Sequence, residues 1–146
     1  MTAPSLEAML PAGIRSRMLP GVNGLDMHIL EGGFEAPGRP LALLIHGYPE
    51  LAFSWRHVMP ALVEAGYHVV APDQRGFGRT TGSATDYDCD LIEFSFLSKV
   101  RDTMALVEAV GHDRAAIIVR HDLGAPVAAL CGLVRPDGWA VCRWVK

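Results

Sequence analysis

AAIIVRHDLGAPVAAL, residues 115–130, decides how the rest of the chain is read. Residues 115–119 are apolar and β-branched, which predicts a buried strand. Residues 124–134 are small and apolar and predict a helix, with Pro126 in the first turn, where its missing N–H costs nothing. Only Arg120, His121, Asp122 and Leu123 remain to make the turn. On so sharp a strand-to-helix turn, a polar side chain projects from the top of a sheet and the N–H groups of the next helix surround it. Asp122 sits at that apex. An aspartate that only caps the helix fits the same pattern, so the neighbouring segments have to decide.

Working outward, residues 41–45 (LALLI) and 68–71 (HVVA) predict two more buried strands, and residues 25–30 (LDMHIL) a weaker one. Residues 53–65 carry Trp55, Val58, Met59 and Leu62 at helical spacing. Residues 97–110 do the same with Val100, Met104, Val107 and Val110, and Gly111 stops them. Residues 1–20, broken by Pro4, Pro11 and Pro20, read as a loose leader, and residues 76–90 as a long polar connection. Strands alternating with helices predict an α/β fold, a mostly parallel sheet with helices on both faces. In such sheets ligands bind beyond the carboxyl ends of the strands. The polar groups His46-Gly47-Tyr48-Pro49, Asp73-Gln74-Arg75-Gly76 and His121-Asp122 all fall at those ends.

Composition narrows the partners. The 146 residues carry a formal net charge of −3 with no basic block, which argues against nucleic acid. No run approaches the roughly 18 apolar residues of a membrane span, although half of the chain is hydrophobic. No signal-peptide pattern opens the sequence, and Cys89, Cys131 and Cys142 have neither zinc-ligand spacing nor an even count. A reduced cytoplasm, no metal and no cofactor are therefore expected. Gly76-Phe77-Gly78 fails the dinucleotide pattern because Thr81 stands at its sixth position. Gly78-Arg79-Thr80 fails the P-loop pattern because Arg79 replaces its lysine.

No serine lies within twenty residues of Asp122, so an ordinary serine esterase is disfavoured. A carboxylate needs no base for its first attack and suits displacement at a saturated carbon of an epoxide or halide. The resulting ester requires a base-activated water and two N–H donors, which Leu123 and Tyr48 offer. Of the six histidines, His46 belongs to the donor loop and His121 to the elbow as structural support, with Gly47. His28, His57, His68 and His112 read as surface or loop residues.

From about residue 20 to residue 137 the chain resembles the N-terminal half of an α/β-hydrolase of the soluble epoxide hydrolase group. His46-Gly47-Tyr48-Pro49 resembles that family's oxyanion loop, and Pro49-Glu50-Leu51 with Phe53-Ser54-Trp55-Arg56 matches the segment after it. Residues 71–80 (APDQRGFGRT) resemble its strand-end turn, residues 121–127 (HDLGAPV) its aspartate elbow, and Arg135-Pro136-Asp137 the end of the elbow helix. The resemblance implies residues 21–137 as the N-terminal part of the core, after the leader 1–20 and before a divergent tail 138–146. It implies Asp122 as nucleophile, Tyr48 and Leu123 as oxyanion donors, and Tyr48, Pro49 and Leu123 against a small hydrophobic epoxide.

Two departures stand beside the match. The family has glycine where this chain has Arg120, so that side chain must swing out or push the elbow apart, at about 1–3 kcal/mol. The family also places its acid, its catalytic histidine and a tyrosine-bearing cap after the elbow. Here no histidine or tyrosine follows Asp122, and the one acid is Asp137. The expectation is an incomplete core without cap or C-terminal half, prone to self-association or to pairing with a complementing chain. A haloalkane dehalogenase-like hydrolase and a non-catalytic truncated remnant are the alternatives. Residues 139–145 (WAVCRWV) suit a strand by composition.

Overall fold

The strand LALLI is apolar at every position and HVVAP at every position but His68, because both of their faces are covered. In the computed structural model, which describes residues 5–136 and 142–144, they form the centre of a mixed sheet. The elements are β1 (Ile14–Val22), β2 (Leu25–Gly32), β3 (Leu41–Ile45), α1 (Met59–Glu64), β4 (His68–Pro72), α2 (Phe96–Ala109), β5 (Ile117–Arg120), α3 (Gly124–Val134) and β6 (Cys142–Trp144). The spatial order is β1-β2-β4-β3-β5-β6. β1 and β2 form an antiparallel hairpin and β2 runs antiparallel to β4, while β4, β3, β5 and β6 run parallel.

Alternation along the strands sorts the core into two layers. Leu41, Leu43 and Ile45 of β3 pack with Leu106 and Val107 of α2 and with Val127 and Ala128 of α3. Ala42 and Leu44 face the other way and pack with Trp55 and with Met59 of α1. Burying each large aliphatic side chain fully contributes about 1.5–3 kcal/mol. The coverage is uneven. Ile117 and Val119 of β5, on the α1 face, remain half-buried, whereas Ile118 on the α2–α3 face is buried.

The N-terminal stretch departs from expectation. The stretch expected to be a loose leader supplies β1 from Ile14 onward, closed onto β2 by Asn23 and Gly24 at φ 49° and 81°. Both values are left-handed, as a two-residue type I′ hairpin requires. Pro20 is tolerated because β1 is an edge strand. The helix expected over residues 53–65 is split into a 3₁₀ turn, Ala52–Trp55, and the short α1.

His28 and His68 are also not surface or loop residues; both are buried in strands. Each is tolerated inside because it meets a carboxylate, as buried polar groups must. His28 Nδ1 lies 2.7 Å from Asp73, and His68 Nε2 lies 2.9 Å from Glu31. His57 is exposed, and half-buried His112 meets His68 Nδ1 at 2.8 Å. Asp137 and Trp139 lie outside the described residues.

Candidate active site

The turn between β5 and α3 holds one residue in a conformation that most side chains avoid. Asp122 has φ 46°, in the left-handed region, at a cost of about 1–3 kcal/mol for a non-glycine residue. The backbone around it is pinned. His121 N–H donates to the Ile45 carbonyl (3.2 Å), Gly124 N–H to the His121 carbonyl (2.9 Å), and Ala125 N–H to the Asp122 carbonyl (2.9 Å). The two flanking glycines leave no space for a β-carbon. At Gly124 it would stand 2.5 Å from the Ile45 oxygen, and at Gly47 it would collide with the Asp122 Cβ and stand 2.8 Å from the His121 oxygen. The loop after β3 and the elbow after β5 are therefore in direct contact, as neighbouring parallel strands allow.

Tyr48 follows Gly47 in that contact, and Leu123 follows Asp122. Neither N–H donates to an acceptor among the described residues. Free N–H groups beside a carboxylate-bearing turn are what a developing oxyanion requires. Asp122 and Pro49 are exposed, Tyr48 is 65% exposed and Leu123 40%. The apex is thus open to solvent.

His46 supports the loop from beneath. It is buried, its Nε2 accepts the Gln74 N–H (3.1 Å), and its Nδ1 therefore donates to the Gly47 carbonyl (2.8 Å). Burial holds its pKa below the ordinary imidazole value, against the pull of the Gly47 carbonyl and of Asp73. The ring is a neutral brace with both nitrogens committed. Gln74 Nε2 completes it by donating to the His46 carbonyl (2.6 Å). Phe77 stacks edge-on against His46 and Tyr48, with ring centroids 5.2 and 6.4 Å away. In the sequence Asp73 and Gln74 belong to a polar strand end and Phe77 to the turn that follows it; which side chains they meet depends on cross-strand register.

His121 braces the elbow through its backbone, while its side chain is exposed. That side chain lines a cleft of about 230 Å³ with His46, Glu50, Ser54, Trp55 and Val58. Asp122, Tyr48, Pro49 and Leu123 are not part of that lining. Arg120 neither swings free nor forces the elbow open. It is half-buried, and its Nη1 donates to the Ala125 carbonyl at 2.9 Å, in the first turn of α3, while Nε has no partner among the described residues. Among the described residues, no group of three or more His, Cys, Asp or Glu is arranged to hold a metal ion. No helix among them is long and apolar enough to cross a membrane.

Comparison with known proteins places this geometry among relatives. Residues 40–138 match the family described as alpha/beta hydrolase fold. Epoxide hydrolase A of Mycobacterium tuberculosis is 42% identical over 125 residues, covering 86% of this chain and 36% of that protein. An epoxide hydrolase of Caballeronia sordidicola is 36% identical over 115 residues, covering 79% and 32%. The structure of potato (Solanum tuberosum) epoxide hydrolase I superposes with a TM-score of 0.77 at 41% identity, covering 91% of this chain and 41% of that one. The chain thus spans about a third of the length of the curated relatives it matches.

Proposed function

The chain belongs to the α/β-hydrolase family, and on that premise we propose that its site performs the ester-forming half of epoxide hydrolysis, with Asp122 as nucleophile. The observation that carries this reading is the left-handed Asp122, wedged against Gly47 with two uncommitted N–H groups next to it. The carboxylate attacks a saturated ring carbon, the carbon–oxygen bond of the epoxide breaks, and the released oxygen takes up a proton from solvent water. The product is an ester between Asp122 and the substrate. Its hydrolysis proceeds by water attack on the former carboxyl carbon, with the N–H groups of Tyr48 and Leu123 receiving the oxyanion. The names of the relatives support epoxides as the substrate class.

The water-activating base is a separate requirement. His28, His46, His68 and His112 are each engaged in hydrogen bonds elsewhere in the fold. The exposed His57 and His121 side chains have no orienting carboxylate among the described residues, so the ester on Asp122 is expected to persist in this chain. Intact-mass measurement after incubation with an aryl epoxide should show one adduct per chain, absent in Asp122→Ala. No adduct in the folded wild-type chain overturns the nucleophile assignment, and sustained multiple turnover overturns the persistence of the ester.

A further inference from the structure

On the α1 face of the sheet, three side chains from separate segments form a hydrogen-bonded relay. The Ser16 Oγ of β1 lies 2.9 Å from the Nε2 of His28 on β2. On the other side of that ring, Nδ1 lies 2.7 Å from Oδ2 of Asp73, just past the end of β4. Register places Ser16 opposite Leu30 and His28 opposite Met18, so the Ser16–His28 bond is a diagonal contact on one face of the hairpin. His28 and Asp73 are buried, and Ser16, on the edge strand, is half-buried.

The relay has a defined polarity. Burial pushes the Asp73 carboxyl up. Hydrogen bonds from His28, from Arg79 N–H (3.0 Å) and from Ala52 N–H (2.8 Å) outweigh that and hold it below the usual carboxylate range. An ionised Asp73 only accepts, so His28 turns an Nδ1 proton to it, and in that neutral tautomer Nε2 has its lone pair directed at the Ser16 hydroxyl. The same turn fixes both partners. His28 N–H donates to Thr80 Oγ1 (3.0 Å), and that hydroxyl donates to the Asp73 carbonyl (2.6 Å). Hydroxyl, imidazole and orienting carboxylate stand in the order that activates a serine.

We propose that Ser16 is a base-activated nucleophile that takes the acyl or phosphonyl group of a small activated electrophile. Ser16 Oγ bonds to the carbonyl carbon or phosphorus, and its proton passes to His28 Nε2. The leaving group departs with the bonding electron pair, and the proton on His28 is released to it or to water. Asp73 keeps the ring oriented throughout.

The test is labelling of the whole folded chain with a fluorophosphonate, mapped by peptide mass spectrometry. Ser16 should be modified about 100-fold faster than the same residue in the urea-unfolded chain, the lower range of a positioned general base. Ser16→Ala should lose this label and Asp122→Ala should keep it, which separates this site from the epoxide site. Equal rates in folded and unfolded chain, or a label confined to other residues, overturn the proposal. His28→Gln removes a buried donor from Asp73 and can unfold the chain, so Ser16→Cys provides the second measurement. Its thiol should react with iodoacetamide faster in the folded than in the unfolded chain; a slower or equal rate overturns the proposal.

Discussion

Gly47 stands directly against Asp122, so that any β-carbon at residue 47 would occupy the space of the Asp122 Cβ. Gly47→Ala must move the β3 loop or the elbow, and overpacking of this kind costs about 1–3 kcal/mol. Gly132, inside α3, has nothing within 4 Å of its β-carbon position. Gly132→Ala should stabilise by about 0.5–1 kcal/mol through helix propensity. Urea melts of the two variants should therefore move in opposite directions from wild type. If Gly47→Ala melts like wild type and still forms the Asp122 adduct, the two loops are not locked together.

The parts of this site that could be read from the sequence are those built from local pattern. The apolar run Leu41–Ile45 and the small-residue run Gly124–Val134 became β3 and α3 with those bounds, because hydrophobic periodicity acts over neighbouring residues. β1 is hidden in the sequence because Pro4, Pro11 and Pro20 suggest irregular chain, although Asn23-Gly24 is a usable hairpin signal. Burial of His28 and His68 was illegible for a different reason. Their carboxylate partners lie 45 and 37 residues away in sequence, and only sheet order brings them together. The bracing of His46 by Gln74 across 28 residues has the same origin.

Arg120 offers a direct energetic test. Its Nη1 bond to the Ala125 carbonyl involves a charged donor and contributes about 1.5–3 kcal/mol, whereas an Nε without a partner among the described residues costs about 1–3 kcal/mol. Arg120→Met keeps the aliphatic stem and removes both, so the two effects offset and the unfolding free energy is expected to stay within about 1 kcal/mol of wild type. A clear loss in a denaturant melt would mean that the guanidinium anchors the first turn of α3 more strongly than its one bond suggests.

Glu31 predicts an acid transition. Burial raises its pKa, but the hydrogen bond from His68 and the guanidinium groups of Arg15 and Arg17 overcome this and lower it from 4.5 to about 2. The unfolded chain thus binds the proton more readily, and the pair's stabilisation is present above about pH 4.5 and lost as the pH falls towards 2. Its size is on the order of 3 kcal/mol. His112 adds a loss of the same sign that begins at higher pH, because burial and the neighbouring His68 hold its pKa below the ordinary value. Unfolding free energies of wild type should fall between pH 5 and pH 2 more steeply than those of Glu31→Gln; equal slopes would locate the acid sensitivity elsewhere.

β6 predicts how the sheet edge behaves. Ile118, Val119 and Arg120 pair in parallel register with Cys142, Arg143 and Trp144, so β5 is not the last strand of the sheet. Without β6, the outer N–H and C=O groups of β5 would be unpaired beside the half-buried Ile117 and Val119, a template for strand addition by another chain. Exposed Leu133 and Val134 at the end of α3 add apolar surface. A chain ending at residue 137 should therefore run at larger mass than the 146-residue chain in size-exclusion chromatography with light scattering, increasingly so with concentration. Equal masses at all concentrations would mean that β6 does not guard this edge and that the side chains of β5 alone keep it from pairing.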